Sequence, residues 1–284
     1  MSDWTITAGP YELRLGERPL VMGIINMTPD SFSRDGLSVN MDAVMRQAAQ
    51  FMEDGADLLD IGGESTRPGS TPATVEEELR RIIPAVEAIA DMIPLPVSVD
   101  TSMAEVARRA LQGGACLIND AWGFRADPAM AEVAAEFSVP VVLMHNRENA
   151  YYQDLINEIK DDLEESMKIA DRAGVSREKL ILDPGIGFGK NTSQNLMVLK
   201  RFSEFKTLGR PLILSTSRKS FIGHALGLPV GDRLMGTAAT VAWGIAQGAD
   251  IVRVHEVKKM SLVVKMTEAI LHAQEEAEIG IRIS

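Results

Sequence analysis

Short apolar runs recur along the chain, each closed by polar residues and followed by a stretch with helical spacing. Leu20-Val21-Met22-Gly23-Ile24-Ile25 ends in Asn26, Asp57-Leu58-Leu59-Asp60-Ile61 runs into Gly62-Gly63, and Pro96-Val97-Ser98-Val99 ends in Asp100-Thr101. Leu117-Ile118 leads to Asn119-Asp120, Pro140-Val141-Val142-Leu143-Met144 to His145-Asn146, and Leu180-Ile181-Leu182 to Asp183. Pro211-Leu212-Ile213-Leu214 precedes a Ser/Thr-rich stretch with Arg218 and Lys219, and Ile251-Val252-Arg253-Val254 ends at His255. Between these runs, 41–54 places Val44, Ala48 and Phe51 on one helical face. Thr74 with Glu77 and Ser102 with Glu105 read as capping boxes, and Asn191 with Gln194 opens a further helix. Asp127-Pro128 starts another, with Pro at the first helical position. Helices are also expected over 157–173, 220–226, 232–247 and 257–277, and a hairpin over 5–15 turning at Gly9-Pro10.

Strict alternation of strands and helices predicts a parallel sheet with helical crossovers. Eight such units in about 260 residues match one (β/α)8 barrel with a short N-terminal hairpin, so a single domain over 1–284 is expected. A doubly wound open sheet is the alternative, which six strands would suit better than eight.

The 284 residues are 45% hydrophobic, enough for a large core, and the net charge of -11 with no basic block argues against nucleic-acid binding. The mixed, polar 1–20 lacks the pattern of a secretory leader, and no apolar run reaches the ~18 residues of a membrane span. The one cysteine, Cys116, lies beside an apolar run and reads as a buried structural thiol. A cytoplasmic protein is expected, with no membrane partner.

In a (β/α)8 barrel the active site lies where the strands end. Those ends carry Asn26, Glu64 to Arg67, Asp100, Asn119, His145, Asp183, Ser217 to Ser220, Arg253 and His255. Asp100, Asn119 and Asp183 directly follow apolar runs, which places them deep in the mouth. Two carboxylates and an amide there suit a ligand with several N–H groups, such as a 2-amino-4-oxopyrimidine ring. The other reading pairs them with Lys219 and Arg253. Arg67, Arg218, Lys219, Arg253 and His255 suit phosphate, which barrels often hold near strands 7 and 8. Lys219 could also serve as a Schiff-base lysine in a barrel aldolase. The four histidines lack zinc-ligand spacing. The segments 28–36 and 65–69, rich in Pro, Gly and Ser, read as loops that close over a substrate, with Phe32 near one tip.

The glycine-rich Asp183-Pro184-Gly185-Ile186-Gly187-Phe188-Gly189-Lys190 fits neither the dinucleotide fingerprint nor a Walker A loop. Together with Asn26-Met27-Thr28-Pro29-Asp30-Ser31-Phe32-Ser33, Asp60-Ile61-Gly62-Gly63-Glu64-Ser65-Thr66-Arg67-Pro68-Gly69 and Ser217-Arg218-Lys219-Ser220-Phe221, it resembles the dihydropteroate synthase family over about 20–257. That resemblance implies a barrel transferase of folate biosynthesis, a homodimer and a sulfonamide target. The family condenses 6-hydroxymethyl-7,8-dihydropterin diphosphate with p-aminobenzoate, losing diphosphate before the aniline nitrogen attacks. It implies pterin contacts from Asp100, Asn119, Asp183 and Lys219, with Arg253 stacked on the ring. Diphosphate would be held by Asn26, Arg67 and His255, with Mg2+ on Asn26. Thr66, Pro68, Ser220, Phe32 and Phe188 would form the p-aminobenzoate site, and Arg67, Lys219 and Asp35 would be the catalytic residues.

The first loop reads Phe32-Ser33-Arg34-Asp35-Gly36 where the family usually has Phe-Ser-Asp-Gly-Gly, and Glu256 follows His255 where Asp is common. Two alternatives share the pterin site: a pterin-dependent corrinoid methyltransferase and a non-catalytic pterin-binding protein. The first would not be expected to carry the Thr28–Phe32, Ser65–Pro68 and Ser217–Phe221 motifs.

Overall fold

A computed structural model describes residues 4–27, 40–63 and 73–273. Strands β1 (Trp4–Ala8) and β2 (Tyr11–Leu15) form the expected antiparallel hairpin. The remaining strands are β3 (Leu20–Asn26), β4 (Leu58–Gly62), β5 (Val97–Asp100), β6 (Leu117–Asp120), β7 (Val141–Met144), β8 (Leu180–Asp183), β9 (Ile213–Leu214) and β10 (Ile251–Val254). They form an eight-stranded parallel sheet in the order β8-β7-β6-β5-β4-β3-β10-β9. A parallel bridge from Leu182 to Leu212, with the Leu182 amide 2.9 Å from the Pro211 carbonyl, joins the two ends. That closure makes a barrel and excludes the open doubly wound sheet.

Helices α1 (Met41–Glu53), α2 (Val75–Met92), α3 (Ala104–Gln112), α4 (Ala129–Phe137), α5 (Leu155–Ala173), α6 (Thr192–Lys200), α7 (Ser220–Leu226), α8 (Leu234–Ala246) and α9 (Val257–Leu271) surround it. Val44, Ala48 and Phe51 are the buried face of α1, as their spacing required. The capping boxes of Thr74 with Glu77 and of Asn191 with Gln194 are both present. The box expected at Ser102 is not: α3 starts one turn position later, after Met103, with no side-chain cap from its own chain segment. Asp127 takes that role from a distance. Its Oδ2 accepts from the Ala104 amide at 2.8 Å while its Oδ1 accepts from Ala129 at 3.1 Å, so one carboxylate serves two helix starts.

Strand alternation divides the core in two. Val21, Leu59, Val99, Ile118, Leu143, Leu182, Leu214 and Val252 face the helices. Met22, Leu58, Leu117, Val142, Ile181, Ile213 and Ile251 face inward and meet Ile6, Ala8, Leu13 and Leu15 of the hairpin. The hairpin therefore stoppers the N-terminal end, which leaves the C-terminal end as the mouth. Cys116 belongs to this inner cluster, and burial pushes its thiol up to about 11, as suits a structural cysteine.

Candidate active site

The side chains two positions beyond the apolar plug form the floor of the mouth, because a strand returns to the same face every second residue. Leu58 is followed by Asp60, Leu117 by Asn119, Ile181 by Asp183, Ile213 by Ser215 and Ile251 by Arg253. These polar groups sit directly on a dry layer and must satisfy one another. Arg253 Nε lies 2.5 Å from Asp60 Oδ2, and its Nη2 lies 2.5 Å from Asp100 Oδ2. Asn119 Nδ2 donates to the same Asp60 oxygen at 3.1 Å. With its amide nitrogen donating to Asp60, Asn119 has its side-chain carbonyl oxygen as its remaining acceptor group. Asp60 is fully buried, and among the described residues its Oδ1 has no hydrogen-bond partner.

Asp183 closes the other side of the floor. Its Oδ1 accepts from the Gly185 amide at 2.7 Å and its Oδ2 from Ser215 Oγ at 2.9 Å. The chain then turns sharply through 185–189. At Gly185, φ is +69°, and a Cβ would lie 1.8 Å from the His145 carbonyl oxygen. At Gly187, φ is +93°, and a Cβ would meet the Lys219 side chain at 2.5 Å. This close approach lets Lys219 Nζ donate to the Ile186 carbonyl and sit 4.4 Å from the centre of the Phe188 ring. Burial pushes the Lys219 ammonium down to about 8, against the pull of Asp183.

At the rim, Asn26 Nδ2 and His255 Nε2 are 3.4 Å apart. Ser217 Oγ accepts from the His255 amide at 3.2 Å and lies 2.9 Å from His255 Nδ1. The Asn26 amide N–H donates to Nε2, so the ring proton sits on Nδ1 and points at Ser217 Oγ, whose two lone pairs accept both it and the His255 amide. Ser220 is exposed at the start of α7. Arg218 pairs with Glu256, the residue after His255, its Nε 2.6 Å from Oε1.

The pterin-binding enzyme family matches residues 22–255. The dihydropteroate synthase of Bacillus subtilis is 50% identical over 263 residues, covering 93% of this chain and 92% of that protein. Among solved structures, the dihydropteroate synthase of Clostridium difficile, determined in the presence of pteroic acid, is 45% identical with a TM-score of 0.88, covering 91% of this chain and 99% of that one. That of Xanthomonas albilineans with 4-aminobenzoic acid is 39% identical with a TM-score of 0.91, covering 96% of this chain and all (100%) of that one.

The chain belongs to the pterin-binding enzyme family, among the dihydropteroate synthases.

Read as a dihydropteroate synthase, the structure brings Asp100, Asn119, Asp183, Lys219 and Arg253 to one floor, and Asn26 and His255 to one rim. Phe188 stands beside Lys219. Phe32, Asp35, Thr66, Arg67 and Pro68 lie outside the described residues. The pairing of Arg253 with acids, the second reading of the sequence, is what the floor shows, and it supplies Asp60 as an unforeseen member. A charged residue inside an otherwise apolar strand was the available signal. Asp60 stands two residues after Leu58 with apolar neighbours on both sides, so it had to point into the barrel and find a cation there.

Proposed function

We propose that this dihydropteroate synthase binds the pterin of 6-hydroxymethyl-7,8-dihydropterin diphosphate on the Asp100–Asn119–Asp183–Lys219 floor and transfers its methylene carbon to p-aminobenzoate. The observation that carries this reading is the donor–acceptor pattern of the floor. Asp183 and the Asn119 side-chain carbonyl accept from ring N–H groups, and Lys219 donates to ring acceptors. Arg253, held between Asp60 and Asp100, offers its flat guanidinium face to the ring.

Diphosphate departs first, toward the rim of Asn26 and His255 and the charge of Arg67. The positive charge left on the methylene carbon is delocalised into the pterin ring. The aniline nitrogen of p-aminobenzoate then attacks with its lone pair and gives up one N–H proton to the released diphosphate or to water, the carboxylate lying toward Ser220, with Thr66, Pro68, Phe32 and Phe188 enclosing the ring and Asp35 acting from the first loop. Catalysis here is orientation and electrostatic preorganisation, with no covalent enzyme intermediate. Among the described residues no three His, Cys, Asp or Glu side chains gather to hold a metal. Asn26 still fits Mg2+, because its amide nitrogen faces His255 and leaves a hard oxygen donor for an ion that keeps waters and takes phosphate oxygens. Mg2+ there would neutralise diphosphate charge.

The whole chain serves as one catalytic unit in the cytoplasm; among the described residues no helix is long and apolar enough to cross a membrane. Met235 on α8 and Leu262, Met266 and Ile270 on α9 are exposed apolar side chains on adjoining helices, which supports a homodimer through that face. Sulfonamides, as p-aminobenzoate mimics, would compete at the Phe188 and Ser220 side.

The test is diphosphate release from the dihydropterin diphosphate with Mg2+, with and without p-aminobenzoate. Release raised by p-aminobenzoate, with dihydropteroate formed, is expected. Pterin binding without release would show a binding protein instead. Arg67→Ala should lower turnover more than pterin affinity.

A further inference from the structure

Lys190, the last residue of the glycine-rich motif, is absent from the roles assigned above, yet its Nζ has three hydrogen-bond partners. Its Nζ lies 3.0 Å from the Gly185 carbonyl, 3.1 Å from the Phe188 carbonyl and 2.8 Å from His145 Nδ1. An ammonium has three donors, and here each has an acceptor. The Gly185 carbonyl also accepts from the Phe188 amide at 3.1 Å, so Lys190 closes the two ends of the same turn.

The third acceptor is set from outside the motif. His145 follows β7 and is completely buried. Its Nε2 lies 3.1 Å from Asp162 Oδ2 on α5, and Arg147 Nε reaches the same oxygen at 2.8 Å. Asp162 accepts at Nε2, so the ring proton sits there and Nδ1 is left as a lone pair aimed at Lys190. Burial pushes His145 down to about 4, which keeps the ring neutral. Burial works against the Asp162 carboxyl, but the His145 and Arg147 hydrogen bonds hold it below the usual range and therefore ionised. Burial also pushes Lys190 down, to about 7, with Asp183 pulling the other way.

The turn that Lys190 closes seats two residues of the site. Its Ile186 carbonyl takes a proton of Lys219, and its Phe188 ring packs against the Lys219 ammonium. Asn195 fixes the turn from the other side, its Oδ1 accepting from the Gly187 amide at 2.6 Å, and Tyr152 Oη donates to the Gly189 carbonyl at 2.9 Å.

We infer that Lys190, His145 and Asp162 form a clamp that holds the 185–189 turn in the shape that places Lys219 and Phe188 for the transfer, making Lys190 a positioning residue. This rests on the roles proposed above for Lys219 and Phe188. The two carbonyls and the imidazole around Nζ tie the turn at both its ends and to β7, while its other side faces Lys219.

The test compares Lys190→Met with two changes at His145. In His145→Asn the amide oxygen can stand where Nδ1 stands, preserving the acceptor for Lys190. In His145→Gln the amide stands near Nε2 and the acceptor is lost. Lys190→Met and His145→Gln should each raise the KM for p-aminobenzoate and lower kcat by tenfold or more, whereas His145→Asn stays within about threefold of wild type. Hydrogen exchange at the 185–189 amides of the free protein should quicken in the first two and not in the third. Equal behaviour of the two His145 variants, or a Lys190→Met enzyme with unchanged KM and exchange, would overturn the clamp. Exchange needs no turnover, so it decides the clamp even if wild type forms no dihydropteroate, a result that would instead overturn the assigned reaction. If Lys190→Met does not fold, the His145 pair carries the decision.

Discussion

Arg253 on β10 and Asp60 on β4 meet across the barrel, Nε to Oδ2 at 2.5 Å, directly above the apolar plug. The same Asp60 oxygen takes the Asn119 amide, so one buried acid fixes both a cation and the sense of an amide. Asp60→Ala should lower stability by ~3–5 kcal/mol, the usual cost of leaving a buried ion-pair partner behind. It should weaken pterin binding more than it changes the KM for p-aminobenzoate. Urea unfolding and pterin titration calorimetry check the two halves, and an unchanged pterin affinity would remove Asp60 from the floor.

Asp183 accepts from Gly185 and Ser215 with one oxygen each, leaving further lone pairs for a ligand. Asp183→Ala should cut pterin affinity by a hundredfold or so, since each unpaired buried donor costs ~1–3 kcal/mol. Ser215→Ala keeps the carboxylate and should lose far less. Calorimetry with the pterin alone separates them; equal losses would mean the effect is the shape of the turn.

Lys219 is charged below about 8 and loses its proton above it. Its depressed value reflects burial, so the charged form is the one that binding must stabilise. Pterin affinity should therefore hold as pH rises to about 8 and then fall about tenfold per unit. Lys219→Arg should flatten that limb, even where its affinity is lower. A limb that survives in Lys219→Arg would belong to another group.

His145 supplies a stability prediction of opposite direction. The unfolded ring takes a proton near 6.5, the folded one only near 4. As pH falls through that window the unfolded chain binds more protons, so stability is lost from about 6.5 down to 4, by on the order of 3 kcal/mol for this group. Comparing wild type with His145→Asn by urea unfolding at pH 7 and pH 4.5 isolates it, and the acid loss should shrink in the variant.

Ser217 bonds both the backbone and the ring of His255. Ser217→Ala frees the ring to turn and should reduce kcat several-fold with little change in pterin affinity. A matching fall in affinity would place His255 at the pterin rather than at the diphosphate.

The barrel was legible because its signals are local. Apolar runs, the Thr74 and Asn191 caps and the Gly9-Pro10 turn each depend on neighbours within a few residues. The exception was Ser102, whose helix is capped at Ala104 by Asp127, 23 positions beyond Ala104, where no local rule could reach. Strand-end residues were legible for the same reason, since a polar group after an apolar run must lie at the mouth.

By itself, the sequence determined that the strands are parallel, which end is the mouth, and that Asp100, Asn119, Asp183, Lys219 and Arg253 gather there. Closure of the sheet between Leu182 and Leu212 was decided only in three dimensions. So were the partners of each charge: Arg253 with Asp60, Arg218 with Glu256, and Lys190 with His145. The reason is that period and capping are properties of one segment. A salt bridge or a shared hydrogen bond requires two segments brought within about 3 Å, and only the finished packing sets that distance.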